Sequence, residues 1–413
     1  MRISRINLLK LLYYMVLISL IVDIGGTFGI KNIVFITAFV FQLFYLFKIN
    51  GRINLPKSFL FSELLIFIVL PILLVSYSIV FKYIAIHNIL PQISAFLVWL
   101  IFPLVLTLNR NQLINGFRFI IYSGVIVIIL TFLSLLLLHY MGRMDLVSAI
   151  NQFSNRYLLG YIGQKPIRIG VFVPNVFYRW TFMIIPVVLL QANNSKKLLL
   201  LGILAILMTL STGAIFFFFF GLLIIIIKKN KIPMKTKKNI IIGLFLIGTI
   251  TITFMFSNYS NIVIGVIDKF SSDNISTSIK LGHIESIVRE MLSDTRVLFF
   301  GMGIGSSFYS SGTGSYVTNV EVSHFNLLRQ FGIIYLMVFF TYVLNVYREL
   351  SRTDTNGKIL GVGILSLFMA AGTNPLLISP VFFMPLMIGK AYIISFRKES
   401  KKYLLGVEGQ NEE

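Results

Sequence analysis

The chain has 413 residues, of which 57% are hydrophobic and only 12% are charged. A soluble domain carries about 25% charged residues, so this composition cannot cover a globule of this size with a polar surface. Apolar runs that approach the length needed to cross a bilayer, about 20 residues, recur along the chain and exclude a soluble protein with a single anchor. We therefore expect a multi-pass membrane protein.

The charge balance also limits the possible partners. The chain has 36 lysines and arginines against 15 acidic residues, but these cations stand in short clusters between apolar runs, which membrane topology explains better than nucleic acid does. It has no cysteine, and its four histidines are too scattered in sequence to form a local zinc motif. We expect no nucleic-acid partner, no metal and no cofactor.

Hydropathy predicts an all-α helix bundle with about 12 transmembrane helices in one membrane domain, 1–413. As a single helix, the run 198–227 would extend about 45 Å through a core of about 30 Å, so we divide it at Ser211. The predicted spans are 8–24, 31–47, 58–80, 89–107, 117–140, 172–192, 198–210, 211–227, 239–256, 325–346, 359–374 and 376–396.

Lysine and arginine clusters fall in alternate predicted loops, among them six lysines between Lys228 and Lys238. Because basic loops stay in the cytoplasm, both termini are predicted to be cytoplasmic. Two outer loops, 141–171 and 257–323, are long enough to carry function. Part of the second loop, near 279–293, is predicted to form an amphipathic helix because five apolar residues repeat at helical spacing. They are Ile284, Ile287, Val288, Met291 and Leu292.

Cations in and beside the outer loops oppose the general charge bias, so some of them are expected to face an anion such as phosphate. The alternative is that they pair with neighbouring carboxylates or face water. The cations are Arg143, Arg156, Lys165, Arg168, Arg179, Lys280, Arg289, Arg296 and Arg329.

Two glycine-containing segments accompany these cations. Arg168 stands just before Gly170 and Pro174, which predict a non-helical return to the membrane that holds the arginine near lipid headgroups; the alternative is an arginine snorkelling from a helix start. The run 301–305 has glycine at alternate positions, which could bring backbone N–H groups to an anion or simply form a turn. No nucleotide-binding motif occurs, so ATP hydrolysis is not expected.

The segment 321–332 is the most informative one. Ser323 is predicted to cap the next helix, which would place His324 in its first turn at the outer membrane surface. The helix dipole there disfavours imidazolium, so the ring would stay neutral and able to accept a proton. Asn326 and Gln330 continue as a polar strip on one helix face, as in a membrane-facing site or cavity. The alternative is a structural histidine bonded to a loop carbonyl. His283 could reach the same pocket.

Taken together, these features resemble the O-antigen polymerase and ligase group, the Wzy-type polysaccharide polymerases. The resemblance is strongest over 168–335, whereas the first 140 residues share only hydrophobic spans. It rests on Arg168-x-Gly170-x(3)-Pro174-Asn175, the Ser211-Thr-Gly-Ala214 turn, Lys280, the glycines at 301, 303 and 305, and His324-x-Asn326 followed by Gly332.

The chain departs from that pattern at two positions. Relatives often have Ser-Arg where this chain has Thr212-Gly213, and often have arginine where Lys280 stands. Lysine keeps the charge but loses the bidentate geometry of a guanidinium. An anion contact is therefore either missing or supplied by another cation, such as Arg179 or Arg289.

The resemblance implies a glycosyltransferase of the bacterial cytoplasmic (inner) membrane that acts at its outer face. It would polymerise undecaprenyl-diphosphate-linked oligosaccharide units into the O-antigen of lipopolysaccharide, capsule or exopolysaccharide, alongside a flippase and a chain-length regulator. Cations would bind the diphosphate, His324 would be the base, and Glu321 would orient His324. The expected substrate contacts are Arg168, Arg179, Lys280, Arg289, Asn326 and Arg329.

Two other functions are consistent with parts of the sequence. A lipid-linked oligosaccharide flippase or transporter also suits many spans, but charges near the bilayer midplane and related halves would be typical of it. Here the charges collect at one face and the long loops are unequal. A ligase that attaches finished glycan to a lipid core would have a site of the same appearance.

Overall fold

The computed structural model of the chain describes residues 5–23, 27–48, 62–82, 84–168, 171–228 and 275–408, which are mostly helical. The helices before the long gap are α1 (Arg5–Val22), α2 (Ile30–Lys48), α3 (Ser62–Lys82), α4 (Ile86–Ile93), α5 (Phe102–Val105), α6 (Arg110–Tyr140), α7 (Met144–Arg156), α8 (Ile184–Gln191), α9 (Lys196–Met208) and α10 (Thr212–Lys228). Those after it are α11 (Ile275–Ser293), α12 (Thr295–Phe300), α13 (Ser323–Leu350), α14 (Thr355–Ala370) and α15 (Pro380–Glu408).

Short 3-10 helices at Ser94–Ile101 and Thr181–Met183 precede α5 and α8. Two antiparallel hairpins complete the described fold. Strand β1 (Gly160–Arg168) pairs with β2 (Val171–Tyr178), and β3 (Phe308–Ser310) pairs with β4 (Ser315–Val317).

The helices form a membrane-embedded bundle. Three of them, α3, α6 and α13, are long and apolar enough to cross a bilayer, and several shorter apolar helices pack with them. Large apolar side chains point outward, such as Phe44, Phe81 and Phe119, which are 67–70% exposed. An exterior of this kind is stable in lipid rather than in water. The count of twelve spans and the orientation stay predictions.

The segment 198–227 forms two helices. Helix α9 ends at Met208, and α10 begins at Thr212 after Leu210 takes a left-handed conformation with φ 45°. The Ser211 hydroxyl accepts a hydrogen bond from the backbone N–H of Ala214 at 3.3 Å, so it caps the second helix. The predicted span 239–256 lies outside the described residues.

The prediction of a continuous span over 172–192 is wrong, because its first part is strand β2. Pro174 lacks a backbone donor and β-branched valines favour extended structure, so this segment pairs with β1 before the chain turns helical. The predicted first outer loop, 141–171, contains helix α7 and strand β1. Hydropathy predicts a helix here because it does not distinguish a buried strand from a helix.

Helix α13 bends sharply at Gly332, which has φ 77° and ψ 173°. The rings of His324 and Phe340 therefore lie 5.3 Å apart, although sixteen residues of straight helix would separate them by about 24 Å. A Cβ at Gly332 would lie 2.1 Å from the carbonyl oxygen of Phe299. The bend thus brings α12 into backbone contact with α13 and turns the first segment of α13 back along the bundle.

At the other end of α13, charged side chains form a paired group that we call the charge cluster: Glu63, Glu349, Lys390 and Arg397. The Lys390 ammonium lies 3.8 Å from Glu63 and 3.4 Å from Glu349, and Arg397 lies 3.2 Å from Glu349. Tyr342 donates a hydrogen bond to Glu63 at 3.0 Å. The partners come from α3, α13 and α15, so the cluster ties three helices together.

Candidate functional site

A polar cavity of about 680 Å³ opens where the first turns of α2, α13 and α15 meet β2 and the turn after α14. Its lining combines two cations, a carboxylate, five amides and three hydroxyls with an apolar wall. The polar residues are Lys31, Arg179, Glu321, Gln92, Asn319, Asn326, Gln330, Asn374, Ser94, Ser323 and Ser379. A volume of this size is in the range of small-ligand sites.

Three amide side chains from the loop before α13 and its first turns form a connected group, the amide cluster: Asn319, Asn326 and Gln330. The Gln330 side-chain N–H donates to the amide oxygens of Asn319 and Asn326, each at 3.4 Å. Asn326 donates to the same Asn319 oxygen at 3.4 Å. The polar strip of Asn326 and Gln330 noted in the sequence therefore faces the cavity.

The two cations of the cavity come from elements far apart in the chain. Arg179 directly follows β2, and its backbone N–H donates to the Leu159 carbonyl at 3.0 Å. Partial desolvation lowers the pKa of the Arg179 guanidinium, and no salt-bridge partner is found for it among the described residues. Lys31 in the first turn of α2 lies close enough to repel it electrostatically and is attracted to Asp23. Adjacent cations favour a multivalent anion.

Glu321 lines the cavity, and its carboxylate lies 3.1 Å from the ammonium of Lys280 on α11. The sequence assigned these two residues to different partners, Lys280 to an anion and Glu321 to His324. Their ion pair is weak because Glu321 is 62% exposed, so the carboxylate can also engage a ligand. His283, one turn from Lys280, is bonded to Ser310 at 2.5 Å. Burial lowers the pKa of His283, although the negative charge of Glu321 acts to raise it.

His324 does not line the cavity. Its ring packs edge-on against Phe340 and Phe368, and its buried Nε2 has no hydrogen-bond partner among the described residues. The predicted Ser323 cap is wrong, since no side chain caps α13 and the Ser323 hydroxyl instead donates to the Asn374 carbonyl at 2.6 Å. The bend of α13 explains why His324 and Ser323 do not lie where the sequence predicted, because it turns the first segment of the helix into the bundle.

Arg329, expected to contact substrate, is fully buried. Its guanidinium donates to the carbonyl and hydroxyl of Ser306, both at 2.8 Å, to the Thr318 carbonyl at 2.6 Å and to Asn326 at 3.0 Å. It also lies 4.8 Å from the centre of the Phe308 ring. Arg329 therefore holds the 302–320 segment against α13 and supports Asn326, rather than lining the cavity.

Two other predicted cations lie elsewhere. Arg289 is 75% exposed and pairs with Glu285 at 2.7 Å on the surface of α11. The backbone of Arg168 lies in β1 opposite Val171, next to a register shift in the hairpin. The Arg168 side chain lies outside the described part of the structure, so its role stays a prediction.

The glycines at 301, 303 and 305 all have positive φ, between 78° and 99°. They serve close packing rather than an anion, because a Cβ at Gly301 would lie 2.5 Å from the Gln330 backbone and one at Gly305 would lie 2.9 Å from Asn88. The N–H of Ile304 donates to the Ser78 hydroxyl at 2.8 Å. This segment is a buried turn that fixes α13 against α3 and α4.

Lys31, Gln92 and Asn319 were not identified from the sequence. Gln92 interrupts the apolar run 89–107, and an isolated polar residue in such a run is a signal that could have identified it. Lys31 follows Gly29 at the start of a predicted span, where an interfacial cation is ordinary. Its placement beside Arg179 depends on the tertiary fold.

No family model matches this chain, and no significant match is found among the curated proteins. Functional assignment therefore depends on the chemistry of the cavity together with the motif resemblance.

Proposed function

We propose that the chain is a membrane glycosyltransferase that polymerises undecaprenyl-diphosphate-linked oligosaccharide units at the outer face of the bacterial cytoplasmic membrane. The observation that carries this proposal is the composition of the cavity, which joins two cations and a carboxylate to a set of neutral amides within an apolar bundle. Cations suit a diphosphate, and amides and hydroxyls suit a sugar.

The leaving group of such a transfer is a lipid diphosphate, which departs with the electrons of its bond to the anomeric carbon. Its developing charge requires fixed cations in a site of low dielectric. Lys31 and Arg179 are the cations that line the cavity and would bind the diphosphate. The first turns of α13 and α15 also line it, and helix N-termini favour anions.

The acceptor is a hydroxyl of a second lipid-linked unit, whose oxygen forms the new bond to the anomeric carbon and whose proton must leave. A carboxylate within reach of the cavity can take that proton. We assign this role to Glu321, which lines the cavity, in place of His324, which packs between Phe340 and Phe368. The ammonium of Lys280 lies 3.1 Å from this carboxylate and orients it before substrate binds.

The donor carries its own activation in the diphosphate bond, so the transfer needs no nucleotide. A flippase would deliver each unit to the outer face, and a chain-length regulator would set when extension stops. The flippase and ligase assignments remain the competing ones. The long loops are unequal, and the charges predicted from the sequence collect at one face, which favours a reaction at one membrane face over passage through the midplane.

Deletion of the gene tests all three assignments, with surface glycan resolved by gel electrophoresis. Loss of a polymerase leaves single repeat units attached to the lipid core (single capped units) without a ladder of longer chains. Loss of a flippase or ligase leaves no glycan on the lipid core. Complementation with the wild-type chain should restore the ladder, and Arg179→Gln should not. Arg289→Gln is the matched control, because it removes an exposed cation outside the cavity and should restore full-length chains. An unchanged ladder in the deletion strain would refute the polymerase.

A further inference from the structure

Two amide oxygens in the cavity have no hydrogen-bond partner among the described residues. One is Oε1 of Gln330, a side chain with no solvent exposure, and the other is the buried Oε1 of Gln92. Both residues line the cavity, although they come from α13 and α4. An unsatisfied buried acceptor costs about 1–3 kcal/mol, and a ligand donor that bonded either oxygen would recover that cost.

The Gln330 oxygen is held in place by the bonds of its own amide. Because the Gln330 N–H₂ group donates to Asn319 and Asn326, the opposite side of the amide presents Oε1 as an acceptor. Asn326 is in turn fixed by the guanidinium of buried Arg329 at 3.0 Å. The amide is therefore held in one orientation, and because its Oε1 is buried, a ligand donor reaches it only when neighbouring side chains of the cavity lining shift.

The chemistry of these oxygens restricts the ligand that can satisfy them. A carbonyl oxygen of an amide only accepts hydrogen bonds, so it cannot pair with the oxygens of an ionised phosphate. It can pair with a sugar hydroxyl or with the N–H of an acetamido group. Phe177 and Phe182, which pack edge to face at 5.8 Å, add an apolar wall suited to the C–H face of a sugar ring.

We propose that Gln92 and Gln330 form a sugar-reading subsite, whose amide oxygens accept hydrogen bonds from hydroxyl or acetamido groups of the repeat unit, while Lys31 and Arg179 bind the diphosphate. This division rests on the proposed function and extends it. It predicts that sugar recognition and diphosphate recognition can be removed separately.

The test uses the purified full chain in detergent and two probes, with binding measured by calorimetry. The first probe is the repeat-unit oligosaccharide released by mild acid from the lipid fraction of the deletion strain. The second is undecaprenyl diphosphate. Gln330→Met should weaken oligosaccharide binding about tenfold or more and leave undecaprenyl diphosphate binding within about twofold. Arg179→Gln should show the reverse pattern.

Gln191→Met is the matched control, because Gln191 is also buried and has an unpartnered amide nitrogen but lies outside the cavity lining. It should bind both probes as the wild type does. Gln92→Met repeats the test on α4, in case Gln330→Met fails to fold. Equal oligosaccharide affinity in wild type and in a folded Gln92 or Gln330 variant would overturn the subsite alone. If the wild type binds neither probe, the proposed function itself is overturned.

Discussion

The first turns of α13 line the cavity, and the last turns of α13 carry the charge cluster. The two regions differ in how far their polar side chains are paired. In the charge cluster, Glu63 meets both Lys390 and Tyr342, and the second carboxylate, Glu349, is shared by Lys390 and Arg397. In the cavity, the Gln330 and Gln92 oxygens have no partner among the described residues. The ion pairs of the charge cluster hold helices together, whereas the amide oxygens of the cavity are left for a ligand to bond.

The bend at Gly332 separates these two behaviours within one helix. Its second segment carries Tyr342 and Glu349 into the charge cluster, while its first segment carries Asn326 and Gln330 to the cavity. Buried charges must be paired to be tolerated, whereas a substrate site needs unsatisfied groups held rigidly. Substitutions in the cavity should therefore impair reaction, and substitutions in the cluster should impair folding.

The largest effect is expected for Glu321. Loss of a general base lowers rate by about 10²–10⁴-fold, so Glu321→Gln should accumulate normally but yield only single capped units in the deletion strain. His324→Phe is the comparison variant, because it keeps the ring packing against Phe340 and Phe368 and should retain long chains. The reverse result, with His324→Phe inactive and Glu321→Gln active, would return the base role to His324.

Removal of Lys390 should produce the largest loss of stability. Its side chain is only 12% exposed, and Lys390→Met leaves Glu63 buried without its cation. Breaking a buried pair in this way costs about 3–5 kcal/mol in the free energy of unfolding. Chemical denaturation in detergent measures the change, and the double variant Glu63→Gln/Lys390→Met should lose less than the sum of the single changes. Additive losses would mean that the two residues do not stabilise each other.

A smaller loss of stability is expected at the bend. Gly332→Ala combines a positive φ of 77° with a Cβ placed against the Phe299 carbonyl, and should destabilise the protein by about 2–3 kcal/mol. Gly29→Ala is the matched control, because φ is 74° but nothing lies within 4 Å of the added Cβ. The control should lose only the backbone strain, about 1 kcal/mol. Equal melting temperatures for the two variants would argue against tight packing at Gly332.

Sequence reasoning located much of this architecture because its signals are local. The break at Ser211 follows from the length of the apolar run, and the helix predicted near 279–293 from apolar spacing lies within the helix Ile275–Ser293. The strand over 171–178 was not predicted because hydropathy alone does not separate a buried strand from a helix, although Pro174 and the β-branched valines favour the extended structure that pairs with β1.

The candidate site was predictable only in part. The segment 321–332 contributes Glu321, Asn326 and Gln330 to the cavity, as polar residues beside an apolar span suggest. His324 was placed at the outer surface by the predicted Ser323 cap, whereas its ring packs against Phe340 and Phe368 across the bend at Gly332; its role as the base stays a prediction. Gln92 had a local signal, an isolated polar residue in an apolar run, whereas Lys31 reaches the cavity through tertiary contacts that no local pattern encodes.

The smallest effect is expected for Arg289. This variant tests whether an exposed, paired cation outside the cavity differs from the cations that line it. Arg289 pairs with Glu285 one turn away, and both side chains are well exposed, at 75% and 65%. Solvent-exposed pairs at this spacing contribute about 0.3–0.5 kcal/mol and are screened by salt. Arg289→Ala should therefore shift the unfolding free energy by no more than about 0.5 kcal/mol, lose even that shift in high salt, and retain long glycan chains. Loss of chain extension by well-folded Arg289→Ala would place this arginine on the diphosphate and require α11 to move toward the cavity during the reaction.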